Sequence, residues 1–427
     1  MAMRITIPYG EEQVSFEIPK QNLAWIIDRG SREPYGDIPK ALREALRKSV
    51  DSRPLRELAS NAKRVVVLVD DYTRPTPQRL LLPSVLDELR EAGVSKDQVE
   101  VIVALGTHRP MRESEMEAKF GGEVLDRVEV RNFDCHDEAD LIDIGKTPMG
   151  VEVVVSRKVY EADLVIGVGN IVPHCYAGWA GGGKIVQPGV CGVKTIEETH
   201  IASGMTRPIF KIAGDPDNRV RHMIDEVAIK SGLRFIVNTV LNERDEVCSL
   251  AVGHPLKAFR EGIREAEKLY CREIPHRADI VVVSSYPADI DYWQALKPTD
   301  YACLGVRPGG VIILVAPCPE GVSPVHGDLR EMGQLTYDEV LDAYRHGEIE
   351  DGVAAAALMI HTQIREHAQI ICVSHGLSEE DKAALGFEHA DSVEEALRMA
   401  LKKMGEKAKV GVIKCGDILP TRRTVRS

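Results

Sequence analysis

The chain has 427 residues, enough for two or three domains that each bury a core. With 44% hydrophobic and 28% charged residues it has an ordinary globular composition, which excludes a disordered or fibrous chain. Its 54 Lys and Arg stand against 66 Asp and Glu, a net charge of −12 that argues against nucleic acid as a partner but leaves room for a local basic pocket.

In chain order, the start reads as a β-hairpin, Arg4–Ile7 and Val14–Ile18, and not as a signal peptide. Val65–Val69 is a continuous β-branched run, followed by Asp70-Asp71-Tyr72-Thr73-Arg74-Pro75 and an amphipathic helix through Ala92. Val99–Ala104 is a second run, followed by Leu105-Gly106-Thr107-His108. Val128–Arg131 and Val151–Val155 read as shorter strands, and Leu164–Val168 as a third strong one. A glycine-rich loop, Gly169 to Gly192, leads into a helix from Val193 to Ser203; Arg234–Val237 reads as a strand and Pro255–Ala266 as a helix. Beyond a charged break at Arg272–Arg277, the short runs Ile280–Ser284, Val311–Val315, Ile370–Val373 and Val410–Ile413 alternate with helical stretches. This pattern predicts an α/β protein of two domains, 1–272 and 273–427, each with a largely parallel sheet flanked by helices and with the active site in the cleft between them. No apolar run approaches the ~20 residues of a membrane span, and Val353–Ile360 is under half that. The nine cysteines are scattered without a C-x-x-C pair, so the expectation is reduced, mostly buried thiols in a cytoplasmic protein with no membrane partner.

Ligands of open α/β sheets bind beyond the carboxyl ends of strands. Asp71 and Arg74 follow the first run, His108 the second, and His174 and Lys184 the third, so these loops are predicted to converge. Gly178-x-x-x-x-Gly183-Lys184 resembles a phosphate loop, but Ile185 stands where a magnesium-binding hydroxyl belongs and Pro188 stops an ordinary helix, which argues against a nucleoside triphosphatase. Lys184 is then a nucleophile, a point charge, or a solvated lysine on a flexible loop. Arg74 offers a two-pronged grip on a carboxylate or phosphate, or pairs with Asp71 across the turn. His108, His174 and His200 have spacings that match no local zinc pattern. Trp293, Gln294 and Lys297 fall near one face of a helix in the second domain.

Together these residues resemble the nickel-dependent lactate racemase family. The matching elements are Asp71-Tyr72-Thr73-Arg74-Pro75, Gly106-Thr107-His108, Pro173-His174, the Gly181–Lys184 loop, Glu197-Glu198-Thr199-His200 and Trp293-Gln294-x-x-Lys297, six motifs in the family's order. The resemblance implies racemisation of a 2-hydroxy acid, lactate by default. Substrate hydride would pass reversibly to a nickel-pincer nucleotide, pyridinium-3,5-bisthiocarboxylic acid mononucleotide, through a 2-keto acid. It implies covalent attachment of that cofactor at Lys184, nickel ligation by His200, and cofactor contacts from Asp71, Tyr72, Thr73 and Arg74. It also implies His108 and His174 as the acid/base pair, and Arg74, Gln294 and Lys297 as substrate contacts. Implied partners are the small 2-hydroxy acid and the cofactor-biosynthesis enzymes: a carboxylase/hydrolase, a sulfur transferase and a nickel insertase. A base must be neutral imidazole, so activity should fall at acid pH, and a flat rate between pH 5 and 8 would count against the role.

Trp293 stands where lactate-specific members tend to carry a smaller phenol, and no tryptophan follows it. This bears on the substrate, since relatives act on malate, longer aliphatic acids and sugar acids. Two other classes compete: a hydrolase holding zinc with His108, His174 and His200, and a non-catalytic sensor of a small acid.

Overall fold

The structure, a computed structural model, describes residues 2–422. The chain opens with a hairpin, β1 (Ala2–Tyr9) on β2 (Glu12–Pro19), then forms β3 (Leu23–Ile27). The first six-stranded sheet takes β4 (Val65–Val69), β5 (Val99–Val103), β6 (Glu129–Asn132), β7 (Leu164–Asn170), β8 (Leu233–Leu241) and β9 (Val247–Gly253) in the order β9-β8-β7-β4-β5-β6. All its pairings are parallel except β8 with β9. Every residue of β4 and β7 is buried, as apolar strands covered on both faces must be. Val65, Val67 and Val69 share a core with Leu82, Val85 and Leu89 of helix α1 (Gln78–Glu91). Val66 and Leu68 join the opposite core, with Val227 of α3 and Phe259 of α4. Helix α2 (Val193–Gly204) precedes these two, α3 (Arg219–Lys230) and α4 (Lys257–Tyr270).

The second sheet takes β10 (Ala278–Ser284), β11 (Val306–Val315), β12 (Ala368–Val373), β13 (Glu388–His389) and β14 (Val410–Ile413) in the order β13-β12-β11-β10-β14-β3, all parallel. Helix α5 (Tyr292–Gly305) follows β10, and α6 (Gly352–His367), buried from Gly352 to Ile364, packs on α2 of the first body. The apolar run Val353–Ile360 lies within α6; among the described residues no helix is long and apolar enough to cross a membrane. The architecture is the expected pair of helix-flanked, largely parallel sheets, but the first 27 residues lie on the other side of a division at residue 272. The strand β3 pairs with β14 at the far end of the chain, and Ile5, Ile7, Phe16 and Ile18 share the core of the second sheet. No composition break marks this crossing, because the signal is a long-range strand pairing.

The chain crosses between the bodies just after β3, where Arg29 is buried between two carboxylates. Its Nη1 lies 2.6 Å from Asp245 Oδ1, in the β8–β9 turn of the first body, and its Nη2 lies 2.8 Å from Asp417 Oδ2 of the second. Tyr286 Oη donates to the other Asp245 oxygen at 2.5 Å. Arg29→Ala strands these carboxylates in a dry seam, so it should lower the unfolding free energy by about 3–5 kcal/mol in denaturant titration, where an exposed pair would cost under about 1 kcal/mol.

Candidate active site

Three strand ends build a cleft that is open to solvent at its mouth. Asp70, Asp71 and Arg74 come from the end of β4, Thr107 and His108 from the loop after β5, and Asn170, His174 and Lys184 from beyond β7. Lys297 and Trp293 of α5 face them from the second body, and His200 of α2 completes the lining. The residues singled out by the strand-end rule are therefore brought together.

Asp71 is 3% exposed and anchors one side of the cleft. It accepts from Thr73 Oγ1 at 2.6 Å and pairs with His108 Nδ1 at 2.6 Å. Burial alone would raise this carboxyl, but His108, Arg74 and the Thr73 hydroxyl together hold it well below the ordinary carboxylate range. For His108, desolvation outweighs the attraction of Asp71 and lowers the imidazolium pKa, with Arg74 and Lys297 adding to the shift. The stable arrangement is a neutral imidazole donating Nδ1–H to an ionised Asp71, which leaves Nε2 as an acceptor. That acceptor lies 3.2 Å from the Gln294 amide nitrogen. His174 has the complementary form. Its Nδ1 accepts the Tyr176 backbone N–H at 3.2 Å, so the neutral ring carries its proton on Nε2. Desolvation, then Lys184, Lys297 and Arg74, push this histidine well below its ordinary pKa. One imidazole in the cleft is thus a proton acceptor and the other an N–H donor.

The basic groups act on each other. Desolvation, then Arg74 and Lys297, pull the Lys184 ammonium well below the ordinary lysine range, which favours the free amine. Desolvation and Arg74 bring Lys297 down to about 7. Arg74 Nη1 donates to Thr73 Oγ1 at 2.8 Å and to Gln294 Oε1 at 3.3 Å, and Lys297 Nζ donates to the same Gln294 oxygen. Arg74 therefore does not form the turn-spanning ion pair with Asp71. On α2, His200 Nδ1 donates to the Ile196 carbonyl at 2.8 Å, leaving the Nε2 lone pair free; desolvation brings its pKa down to about 4.

Tyr72 stands apart from the cleft lining, because Arg74 N closes a turn onto Asp71 O at 3.2 Å and neighbouring side chains leave in different directions. Arg109 covers its ring at 4.1 Å. Thr73 contributes only through Asp71 and Arg74 on this side. Among the described residues no three His, Cys, Asp or Glu side chains form a group that could hold a metal, so the three histidines do not make the zinc centre of the hydrolase reading. Four residues were missed. Asn238, just past the predicted strand Arg234–Val237, accepts from Gly182 N at 2.8 Å and was within reach of the strand-end rule. Tyr176 packs between His174 and His200, with ring centroids 5.6 and 5.0 Å away. His326 stacks on Trp293 at 4.0 Å and bonds Asp351 and Thr107. Asp70 accepts from Gln78 Nε2 at 2.9 Å and lines the cleft.

The family model of the lactate racemase N-terminal domain matches residues 9–209, and that of the lactate racemase C-terminal domain matches residues 274–418. The lactate racemase of Thermoanaerobacterium thermosaccharolyticum is 30% identical over 321 residues, 74% of this chain and 75% of that protein. The lactate racemase of Lactiplantibacillus plantarum is 27% identical over 428 residues, 96% of this chain and 98% of that protein. Among solved structures, the T. thermosaccharolyticum lactate racemase apoprotein superposes with a TM-score of 0.88 at 26% identity, covering 99% of this chain and 100% of that one. A Thermotoga maritima protein has a TM-score of 0.73 at 22% identity, over 93% of this chain and 100% of its own, a likeness of fold alone.

The glycine loop proves to be a packing device and no flexible tether. Gly182 has φ +57°, and a Cβ there would lie 2.8 Å from the Phe259 ring. Gly167 in β7 leaves the space that Ile185 Cγ2 fills, 2.6 Å from where its Cβ would be. Arg221, fully buried on α3, donates to the Trp179 and Gly181 carbonyls at 3.1 and 3.3 Å. Gly182→Ala should therefore lower stability by about 1–3 kcal/mol in urea titration. Gly93→Ala, also at positive φ but with nothing near its Cβ, should show only the smaller backbone cost.

Proposed function

Because the chain belongs to the lactate racemase family, we propose that it is an isomerase that interconverts the enantiomers of a 2-hydroxy acid, with lactate as the default substrate. The observation that carries this reading is the pair of neutral histidines in complementary form, His108 accepting and His174 donating, in one cleft with Arg74 and Lys297. A 2-hydroxy acid needs its carboxylate held and its oxygen served by a base and an acid on different sides.

The residues fit the nickel-pincer nucleotide that the resemblance implies. Lys184 is driven toward its nucleophilic amine, as covalent attachment requires. His200 presents one neutral ring nitrogen, its other fixed by the Ile196 carbonyl, as a metal-ligating imidazole does. Lys184 would hold the group covalently and His200 its nickel, and the group, when bound, supplies a pyridinium hydride acceptor. Loading it would require the carboxylase/hydrolase, sulfur transferase and nickel insertase as partners.

The chain's own residues account for the proton and the pose. Arg74 and Lys297 hold the carboxylate as paired charges. His108 Nε2 takes the hydroxyl proton, and Asp71 steadies the imidazolium that forms. His174 donates an N–H hydrogen bond to the oxygen when the planar 2-keto acid has turned and itself stays neutral, and the proton that His108 took returns to that oxygen by way of solvent. Direct loss of the Cα proton would build a second negative charge beside the carboxylate, and this route avoids it.

Intact-mass measurement of protein made alongside the biosynthesis enzymes tests the reading. The expected result is a covalent adduct that Lys184→Ala abolishes, whereas His108→Ala and His174→Ala keep it and lose racemisation by about 100-fold or more. Full activity of unmodified protein sinks the proposal, and an adduct without turnover of any 2-hydroxy acid returns the sensor reading.

The pH profile follows from the shifts. Both catalytic histidines lie below their ordinary value of 6.5, so neutral base persists through pH 6.5 and the acid limb of kcat/KM should fall on the acid side of that value. Lys297, at about 7, loses its charge as pH rises, so KM should climb between pH 7 and 9. Lys297→Arg, charged throughout, should flatten the climb in an initial-rate series.

A further inference from the structure

The polar cleft has an annex of opposite chemistry. Arg74, Asn170, His174 and Lys297 also line an adjoining pocket that opens to solvent. Its remaining walls are mostly carbon: Val172, Leu241, Pro287, Ala288 and the ring of Tyr301. The Tyr301 hydroxyl is buried without a hydrogen-bond partner. Asp245 and Asp417 also line the annex and share the single guanidinium of Arg29.

We propose that this annex receives the side chain of the substrate, and that the substrate class is a 2-hydroxy acid with an apolar side chain longer than a methyl group. The inference rests on the racemase reading and deepens it. With the carboxylate on Arg74 and Lys297, and for the enantiomer whose oxygen lies on His108, the third substituent on Cα is the one left to seat, and the annex begins at His174 and Lys297 themselves. Carbon walls reward each added methylene by roughly fourfold in binding. The second carboxylate of malate would meet Asp245 and Asp417, whose charge Arg29 only half offsets. The hydroxyls of a sugar acid would give up water against the carbon walls of Val172, Leu241, Pro287 and Ala288.

The test is a series on the cofactor-loaded enzyme, read by chiral chromatography: lactate, 2-hydroxybutyrate, 2-hydroxyhexanoate, malate and gluconate. The expected result is a kcat/KM at least tenfold higher for 2-hydroxyhexanoate than for lactate, with malate and gluconate below lactate. Ala288→Phe, which fills the annex from a half-buried loop position, should cancel the long-chain preference, lowering the ratio of kcat/KM for 2-hydroxyhexanoate over lactate at least tenfold; Ala288→Val should lie between. Calorimetric titration of the same acids should show the same order in affinity. A flat or falling chain-length series, or equal loss of both substrates in Ala288→Phe, overturns the assignment while lactate turnover keeps the racemase reading. Turnover of no acid overturns both.

Discussion

Three basic side chains, Arg74, Lys184 and Lys297, face one another in a cleft from which much of the water is excluded, and that desolvation first, then their mutual repulsion, sets the chemistry around them. The same field acts on the amine of Lys184, on Lys297 and on both histidines, and in each case it opposes a further proton. A single constraint therefore yields a nucleophilic lysine, two imidazoles in neutral form and a strong attraction for anions. Asp71 keeps the arrangement from collapsing into simple repulsion. Its charge is committed to His108 and Thr73, so it orients the base without neutralising the arginine. An overall charge of −12 and a basic cleft are compatible because the acidic excess is distributed over the rest of the molecule.

Holding like charges together takes rigidity, and the architecture supplies it at the backbone. The strands β4, β5 and β7 run parallel, so their carboxyl ends deliver three loops to the same edge. The loop that carries Lys184 is then fixed from below by Gly167 and Ile185, from one side by Phe259, and through its carbonyls by Arg221. The residue Arg221 is balanced by Asp225 at 2.6 Å, so it braces the loop without adding a free charge to the cleft. From the second body, Asp291 caps α5 on the Gln294 N–H at 2.7 Å and aims the first turn of that helix at the site.

Strands and strand-end residues were legible in the sequence because each is a local signal. The runs at Val65–Val69, Val99–Ala104 and Leu164–Val168 need no partner to be recognised, and Asp71, His108 and His174 lie within a few residues of them. What escaped depends on distance along the chain. The pairing of β3 with β14 cannot be seen in five apolar residues, so the first hairpin was assigned to the first domain. His326 acquires meaning only by stacking on Trp293, and Arg221 reads as one more charged helix residue until the glycine loop is seen against it. Tyr72 shares a motif with Asp71 and Arg74, but adjacency in sequence is not adjacency in space across a turn. The loop from Gly178 to Lys184 looked like a ligand cradle because glycine signals close approach without saying of what. Here the approaching atoms belong to the protein.

Gln294 shows how the cleft balances its polar groups across the two bodies. Its amide oxygen accepts from Arg74 and Lys297, and its amide nitrogen lies 3.2 Å from the free nitrogen of His108. A planar group with an acceptor between two cations and a donor on the base has the pattern of a 2-hydroxy acid, whose carboxylate and hydroxyl present the same two functions on neighbouring carbons. On the proposed function, a substrate that enters would exchange these bonds for its own, and the net gain would be the difference between a charged acceptor and a neutral one at Arg74 and Lys297. An uncharged ester or amide of the acid offers no such difference. Under that proposal, selectivity for the acid would arise from the carboxamide it has to displace as much as from the cations that receive it.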